Sequence, residues 1–153
     1  MWFGSGERKR KMSRSKEDLH SELVTAFEKS CAKFIYYYPH LPVPFLTCTN
    51  RSNEEQNLLF AQGRTAPGKI VTNAKAGQSP HNYYPSFAFD IAFMTKGKPA
   101  KLDWSKDLFK KFAAIVKADF PNVVWGGDFE SIPDAPHFEL RAWKNLMASK
   151  QVA

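Results

Sequence analysis

The segment "SFAFDIAF", residues 86–93, constrains the fold more than any other part of this chain. Bulky apolar side chains occupy every second position from Phe87 to Phe93, and small residues and Asp90 fill the positions between them. A period of two is typical of a β-strand whose alternate side chains point to opposite faces. One face is therefore predicted to be packed core. Because an ionised carboxylate is rarely buried without a partner, the other face must bring Asp90 to a cation or to water.

The rest of the chain alternates between helical and extended patterns. Helical spacing of apolar residues predicts helices over 18–35, 52–62, 104–119 and 141–149. Short apolar runs predict strands over 45–49, 122–127 and 136–140. Ser52 and Glu55 have the spacing of a capping box, and Gly63 stands where a helix-ending glycine belongs. The order predicts a single compact α+β domain, with a small antiparallel sheet flanked by helices and a long loop over 64–85.

Charge is unevenly distributed along the 153 residues, which carry a net charge of +7. Residues 1–16 hold six Lys or Arg against one Glu, so we predict a basic, flexible leader there and a folded domain over 17–153. Such a leader could touch an anionic envelope. The body shows no basic stripe along the sequence, so nucleic-acid binding is not expected. No apolar run is long enough for membrane insertion, and the N-terminal residues lack the apolar centre of a secretory signal.

Four polar residues are candidates for metal chemistry: His81, Asp90, Asp134 and His137. Hydrolytic zinc sites use three protein ligands and keep a fourth position for water. Two histidines and one carboxylate would complete that set, and the second carboxylate would take a proton from the water. The spacing alone leaves another interpretation open, in which His81 caps a turn, Asp90 pairs with a lysine and His137 is an ordinary strand residue.

The chain contains three motifs in this order: "NRSNEEQNLLFAQGRT", "SPHNYYPSFAFDI" and "WGGDFESIPDAPHFEL". They resemble the motifs of the D-Ala-D-Ala carboxypeptidase/VanY-like zinc peptidases. The resemblance implies the fold of that family, which is hedgehog-like and has the zinc site in a cleft. Within that group the chain is most similar to the L-alanyl-D-glutamate endopeptidases that bacteriophages use as endolysins. The similarity runs over about residues 19–140. Many members separate the first histidine and the aspartate by seven positions, whereas nine separate them here, and "CTNRS" replaces the commoner "GYRS".

The resemblance implies roles for particular residues. It implies that one Zn²⁺ is bound by His81, Asp90 and His137. It implies that Asp134 activates water and that Arg51 binds substrate or stabilises the oxyanion.

Three further residues are candidates for the substrate cleft. Ser79 and Gln56 match motif positions, as supports for substrate or loop geometry. Trp125 precedes two glycines and could line the cleft, although core packing is an equal alternative.

The function implied is that of a monomeric peptidoglycan hydrolase, a phage endolysin that cleaves the L-Ala–D-Glu bond. It would stay in the host cytoplasm until a holin releases it to the cell wall. Two alternatives remain open: a D,D-carboxypeptidase or dipeptidase acting on D-Ala-D-Ala, and a non-catalytic wall-binding module.

Overall fold

The computed structural model describes residues 12–150, with the side chains of 148–150 excepted. Over this range the helices are α1 (Ser21–Tyr37), α2 (Asn53–Ala61), α3 (Lys106–Asp119) and α4 (Trp143–Lys150). The strands over the same range are β1 (Val43–Cys48), β2 (Ala88–Met94), β3 (Leu102–Asp103), β4 (Val123–Trp125) and β5 (His137–Leu140). Among these described residues, no helix has both the length and the apolar character needed to cross a bilayer.

The strands form one antiparallel sheet, which confirms the predicted α+β class. The order is β1-β2-β5-β4, and β3 pairs with the last two residues of β2. The two-residue strand β3 was not predicted, because so short a strand carries no periodic signal. Asp90 of β2 lies opposite Cys48 of β1 on one side and His137 of β5 on the other. Since residues in register share a face of the sheet, a thiol, a carboxylate and an imidazole lie side by side.

The opposite face of the sheet packs against α1 and α3. Phe87, Phe89, Ile91 and Phe93 are all fully buried, as the alternation predicted. The ring of Phe34 from α1 lies 5.4 Å from that of Phe93, centroid to centroid. Burying each such side chain contributes roughly 1.5–3 kcal/mol relative to leaving it exposed. The helices thus cover one face of the sheet and leave the face that carries Asp90 uncovered by them.

The Ser52 cap and Gly63 lie at the ends of α2 as predicted, but the second half of the capping box is not formed, because Glu55 Oε1 accepts from the Met12 amide at 3.0 Å. The Ser52 hydroxyl accepts a hydrogen bond from the Glu55 amide at 3.2 Å. Gly63 has a φ of +81°, and a Cβ at this position would lie 2.7 Å from the backbone nitrogen of Ile70. Only glycine fits this turn without strain. The turn sends the chain into the long loop that ends at the candidate site.

The predicted basic leader lies mostly outside the described residues, which begin at Met12. The first described residues run beside the end of β1. The Ser13 amide donates to the Asn50 carbonyl at 2.8 Å, and the Thr49 amide donates to the Ser13 carbonyl at 2.7 Å. The boundary predicted at residue 16 stays a prediction.

Candidate metal centre

Three potential ligand atoms form a small triangle on the open face of the sheet. His81 Nε2 lies 3.2 Å from Asp90 Oδ1 and 3.2 Å from His137 Nδ1. His137 Nδ1 lies 2.9 Å from Asp90 Oδ1. Ligands about 2.0–2.2 Å from a tetrahedral zinc ion stand about 3.3–3.5 Å from one another. The triangle therefore needs only a few tenths of an ångström of expansion to hold such an ion, and the donor set of two imidazoles and a carboxylate suits zinc.

His81 is placed by a 3₁₀ turn, Pro80–Asn82, within the long loop. The Ser79 hydroxyl accepts from the His81 amide at 3.2 Å, and the Asn82 side-chain oxygen accepts from the Ser79 amide at 3.2 Å. This reciprocal capping fixes the backbone that carries the imidazole. Ser79 therefore has the geometry of a support for the loop, which is one of the two roles that its motif position implied.

Each imidazole is oriented by a second hydrogen bond on the side away from the triangle. His81 Nδ1 donates to the Thr49 carbonyl at 2.7 Å, and His137 Nε2 lies 2.8 Å from Glu139 Oε1. In the neutral tautomers that a metal requires, these bonds leave the lone pairs of His81 Nε2 and His137 Nδ1 facing Asp90. Metal-binding histidines usually have this arrangement, in which a carboxylate or carbonyl holds the other nitrogen.

Neither of these acceptors was assigned a role from the sequence. Glu139 follows His137 by two positions on the same face of β5, and that spacing was a usable signal. Thr49 gave no signal, because its carbonyl is a backbone group 32 positions from His81.

Arg51 supplies the cation nearest to Asp90 apart from the histidines. Its Nη2 lies 3.6 Å from Asp90 Oδ2, and its Nη1 donates to Gln56 Oε1 at 3.0 Å. Gln56 is fully buried and donates in turn to the Ala74 carbonyl at 2.8 Å. Gln56 therefore holds the guanidinium from behind. Arg51 Nε is buried and has no hydrogen-bond partner among the described residues.

Asp134 reaches the triangle from the loop between β4 and β5. A carboxylate oxygen of Asp134 lies within 4.8 Å of ligand atoms of Asp90 and His137. The Asp134 amide donates to the Gly126 carbonyl at 2.8 Å, and a Cβ on Gly126 would lie 2.4 Å from the Asp134 carbonyl oxygen. Gly126 is thus required for the close approach of this loop. Trp125 Nε1 donates to the Ala135 carbonyl at 2.7 Å, so the indole also holds the loop, and its contact with a substrate stays a prediction.

The charges in the triangle are strongly coupled. Burial disfavours the charged imidazoles, but the Asp90 carboxylate outweighs it and raises the pKa of His81 to about 10. Asp90 and Glu139 together raise the pKa of His137 to about 9, again against the effect of burial. Burial and the neighbouring Asp90 carboxylate raise the pKa of Asp134. The two histidines hold the pKa of Asp90 well below its usual range despite burial.

The five groups thus combine three acceptor atoms for a cation, one carboxyl with raised proton affinity and one guanidinium. These are the kinds of group that a hydrolytic metal site uses. Cys48 Sγ, 3.6 Å from His81 Nδ1, lies behind the imidazole, and both cysteines are free thiols, with Cys48 buried and Cys31 partly buried.

Comparison with known protein families finds a match, over part of the chain, to the class that the motifs resemble. Residues 72–140 match the family model described as D-alanyl-D-alanine carboxypeptidase. That segment contains the three triangle residues and Asp134.

Two individual proteins are similar over longer stretches. The chain is 37% identical over 99 residues to the peptidoglycan L-alanyl-D-glutamate endopeptidase CwlK of Bacillus subtilis. The aligned stretch covers 59% of this chain and 56% of CwlK. The chain thus matches little more than half the length of that relative. The crystal structure of the L-Ala D-Glu endopeptidase ChiX of Serratia marcescens superposes with a TM-score of 0.59 at 22% identity, over 92% of this chain and 96% of ChiX. This likeness confirms the fold. The particular similarity to bacteriophage enzymes stays a prediction.

Proposed function

We propose that the chain is a zinc-dependent hydrolase that cleaves the L-Ala–D-Glu amide bond of the peptidoglycan stem peptide. The observation that carries the proposal is the triangle of His81, Asp90 and His137 with Asp134 beside it. The identity to CwlK, whose name gives this activity, supports the choice of bond.

The metal would be bound by His81 Nε2, Asp90 and His137 Nδ1. When bound, zinc supplies a Lewis acid that activates water and polarises a carbonyl. The Thr49 carbonyl and Glu139 keep the two imidazoles turned toward the ion. The chemistry of the donors fits this role, because all three atoms face one point and each imidazole has its other nitrogen occupied.

Asp134 is the proposed general base and acid. Its raised pKa makes the carboxylate a better proton acceptor than an exposed aspartate, so it can take the proton of the attacking water and deliver it to the leaving amine. Arg51 is the proposed anion-stabilising group. Its guanidinium, whose plane Gln56 fixes, can donate to the developing oxyanion or to a substrate carboxylate.

The test is digestion of purified Gram-negative peptidoglycan followed by mass analysis of the fragments, with and without a zinc chelator. Fragments that end in free L-Ala, formed only without chelator, are the expected result. The Asp134→Asn variant should bind zinc as the parent does and lose roughly 10²–10⁴-fold in rate. Release of D-Ala would replace the proposal with a D,D-carboxypeptidase. Zinc binding and wall binding without any cleavage would indicate a non-catalytic module.

The biological role proposed is that of a bacteriophage lysis enzyme. The "HN" and "PS" variant of the ligand motif, which is familiar among phage-type members, is the support for it. The protein made alone in a bacterial cytoplasm should leave the cells intact, and it should lyse them when a holin is made with it. Lysis that starts equally early without the holin would contradict this localisation.

A further inference from the structure

The end of the sheet away from the metal centre carries a surface that the proposed hydrolysis does not use. β2 has Asp90 near its start and Met94 at its end, about 14 Å away at 3.4 Å per residue. Val43 and Leu102 both lie opposite Met94. The last turn of α1, the β2–β3 turn and the start of α3 therefore meet there. We call residues 35–37 and 95–111 together the hairpin end.

The hairpin end is strongly basic. Residues 95–111 contain six lysines and two aspartates. Asp107 pairs with Lys111, and Asp103 accepts from the Ser105 amide at 2.9 Å, so both acids are engaged locally. Four lysines of this surface are exposed and form no ion pair with any described residue: Lys98, Lys101, Lys106 and Lys110. These lysines fall within one continuous segment, which was not identified as a basic stripe from the sequence.

The same surface exposes large apolar side chains. Of the nine large hydrophobic residues that are exposed in the described chain, five lie here: Ile35, Tyr36, Tyr37, Leu102 and Trp104. Tyr36 is 81% exposed and Trp104 54% exposed. The Trp104 ring stacks on Phe109 at 6.1 Å, so the core fixes its orientation. Lys96 Nζ donates to the Pro39 carbonyl, which joins the β2–β3 turn to the turn after α1.

We infer that the hairpin end is a docking surface for an anionic lipid bilayer. Lysines next to a membrane bind anionic headgroups, while Trp, Tyr and Leu side chains enter the interfacial layer. A soluble polyanion would match the lysines but would leave Leu102 and Trp104 exposed to water. Asp90 and Met94 are about 14 Å apart along β2, so the hairpin end and the metal centre are separate along the strand. The inference stands on surface charge and exposure and does not depend on the proposed hydrolysis.

The test is co-sedimentation of the full chain with vesicles of phosphatidylcholine, alone or with 30% phosphatidylglycerol. Two charge-matched double variants are compared, and both keep the basic N-terminal residues. Lys98→Gln/Lys101→Gln removes two lysines of the hairpin end, and Lys69→Gln/Lys75→Gln removes two exposed lysines of the long loop. Circular dichroism and thermal melting check that both variants fold like the parent.

We expect the parent to bind the anionic vesicles more tightly than the neutral ones. The hairpin variant should bind them about 30-fold more weakly, and the loop variant within twofold of the parent. Adding Leu102→Gln to the hairpin variant should weaken vesicle binding further, although this substitution does not change the charge. Equal losses in both double variants would mean that net charge alone drives adsorption and would overturn the inference. Absence of vesicle binding by the parent would also overturn it. Binding to heparin, a soluble polyanion, is measured in parallel, and a hairpin variant that loses heparin binding but keeps vesicle binding would overturn it as well.

Discussion

Replacing Glu139 with alanine is expected to weaken zinc binding while the fold stays intact. Glu139 Oε1 lies 2.8 Å from His137 Nε2, and its side chain is 15% exposed, so water screens this contact only in part. A hydrogen bond to a charged group contributes about 1.5–3 kcal/mol, which corresponds to roughly 10–150-fold in affinity. Loss of an outer-shell partner typically costs about 10–100-fold, so the two ranges agree.

The measurement is a zinc titration in competition with a chromogenic chelator. Glu139→Gln keeps an acceptor oxygen and should lose less than about tenfold. Glu54→Ala serves as the control, because Glu54 is an exposed acid on α2 whose side chain makes no hydrogen bond to a described residue. Glu139 also helps to raise the pKa of His137 to about 9. The loss should therefore be smaller at pH 6, where protons compete with zinc, than at pH 9.

One result would refute this reasoning. If Glu139→Ala binds zinc as tightly as the parent at pH 9 and melts at the same temperature, the sheet alone orients His137. The carboxylate would then have no role in metal binding.

Three further outcomes are expected. Gly126→Ala should lower the free energy of unfolding, measured by urea titration, by roughly 1–3 kcal/mol and impair hydrolysis, because its Cβ would lie 2.4 Å from a backbone oxygen. Gly97→Ala is the control and should leave that free energy unchanged, because no atom lies nearer than 3.9 Å to its Cβ. Zinc binding at pH 7 should release protons, and its affinity should rise with pH toward 9–10, because His81 and His137 have pKa values above 7 without metal; calorimetric heats that do not depend on the buffer would contradict this. Arg51→Lys should retain zinc but lose about tenfold or more in kcat/KM, because an ammonium cannot reproduce the contacts of the planar guanidinium with both Gln56 and Asp90; unchanged kinetics would exclude the proposed role.

The features that the sequence predicted depend on neighbouring positions. The alternation from Phe87 to Phe93 defined a core face, and the spacing of Ser52, Glu55 and Gly63 defined the ends of α2. These signals need no knowledge of distant contacts. Asp90 was expected to face a cation or water, and that expectation followed from the energetics of burial alone.

The features that could not be predicted depend on contacts between distant segments. The Thr49 carbonyl meets His81 across 32 positions, and Gln56 meets the Ala74 carbonyl across 18. Backbone acceptors leave no residue-type signature in a sequence. The cation beside Asp90 could not be identified from the sequence for the same reason, because Arg51 comes close to Asp90 only when β1 and β2 pair.

The register of β5 also determines when this site can exist during synthesis of the chain. β5 is the last strand to be made, yet it is inserted between β2 and β4 in the sheet. A nascent chain that ends before residue 137 has His81 and Asp90 but lacks the third ligand, and its β2 has an unpaired edge where β5 will lie. With the proposed ligand set, such a chain would hold zinc only weakly. The pairing of Asp90 with His137 would therefore delay metal binding until the sheet is complete.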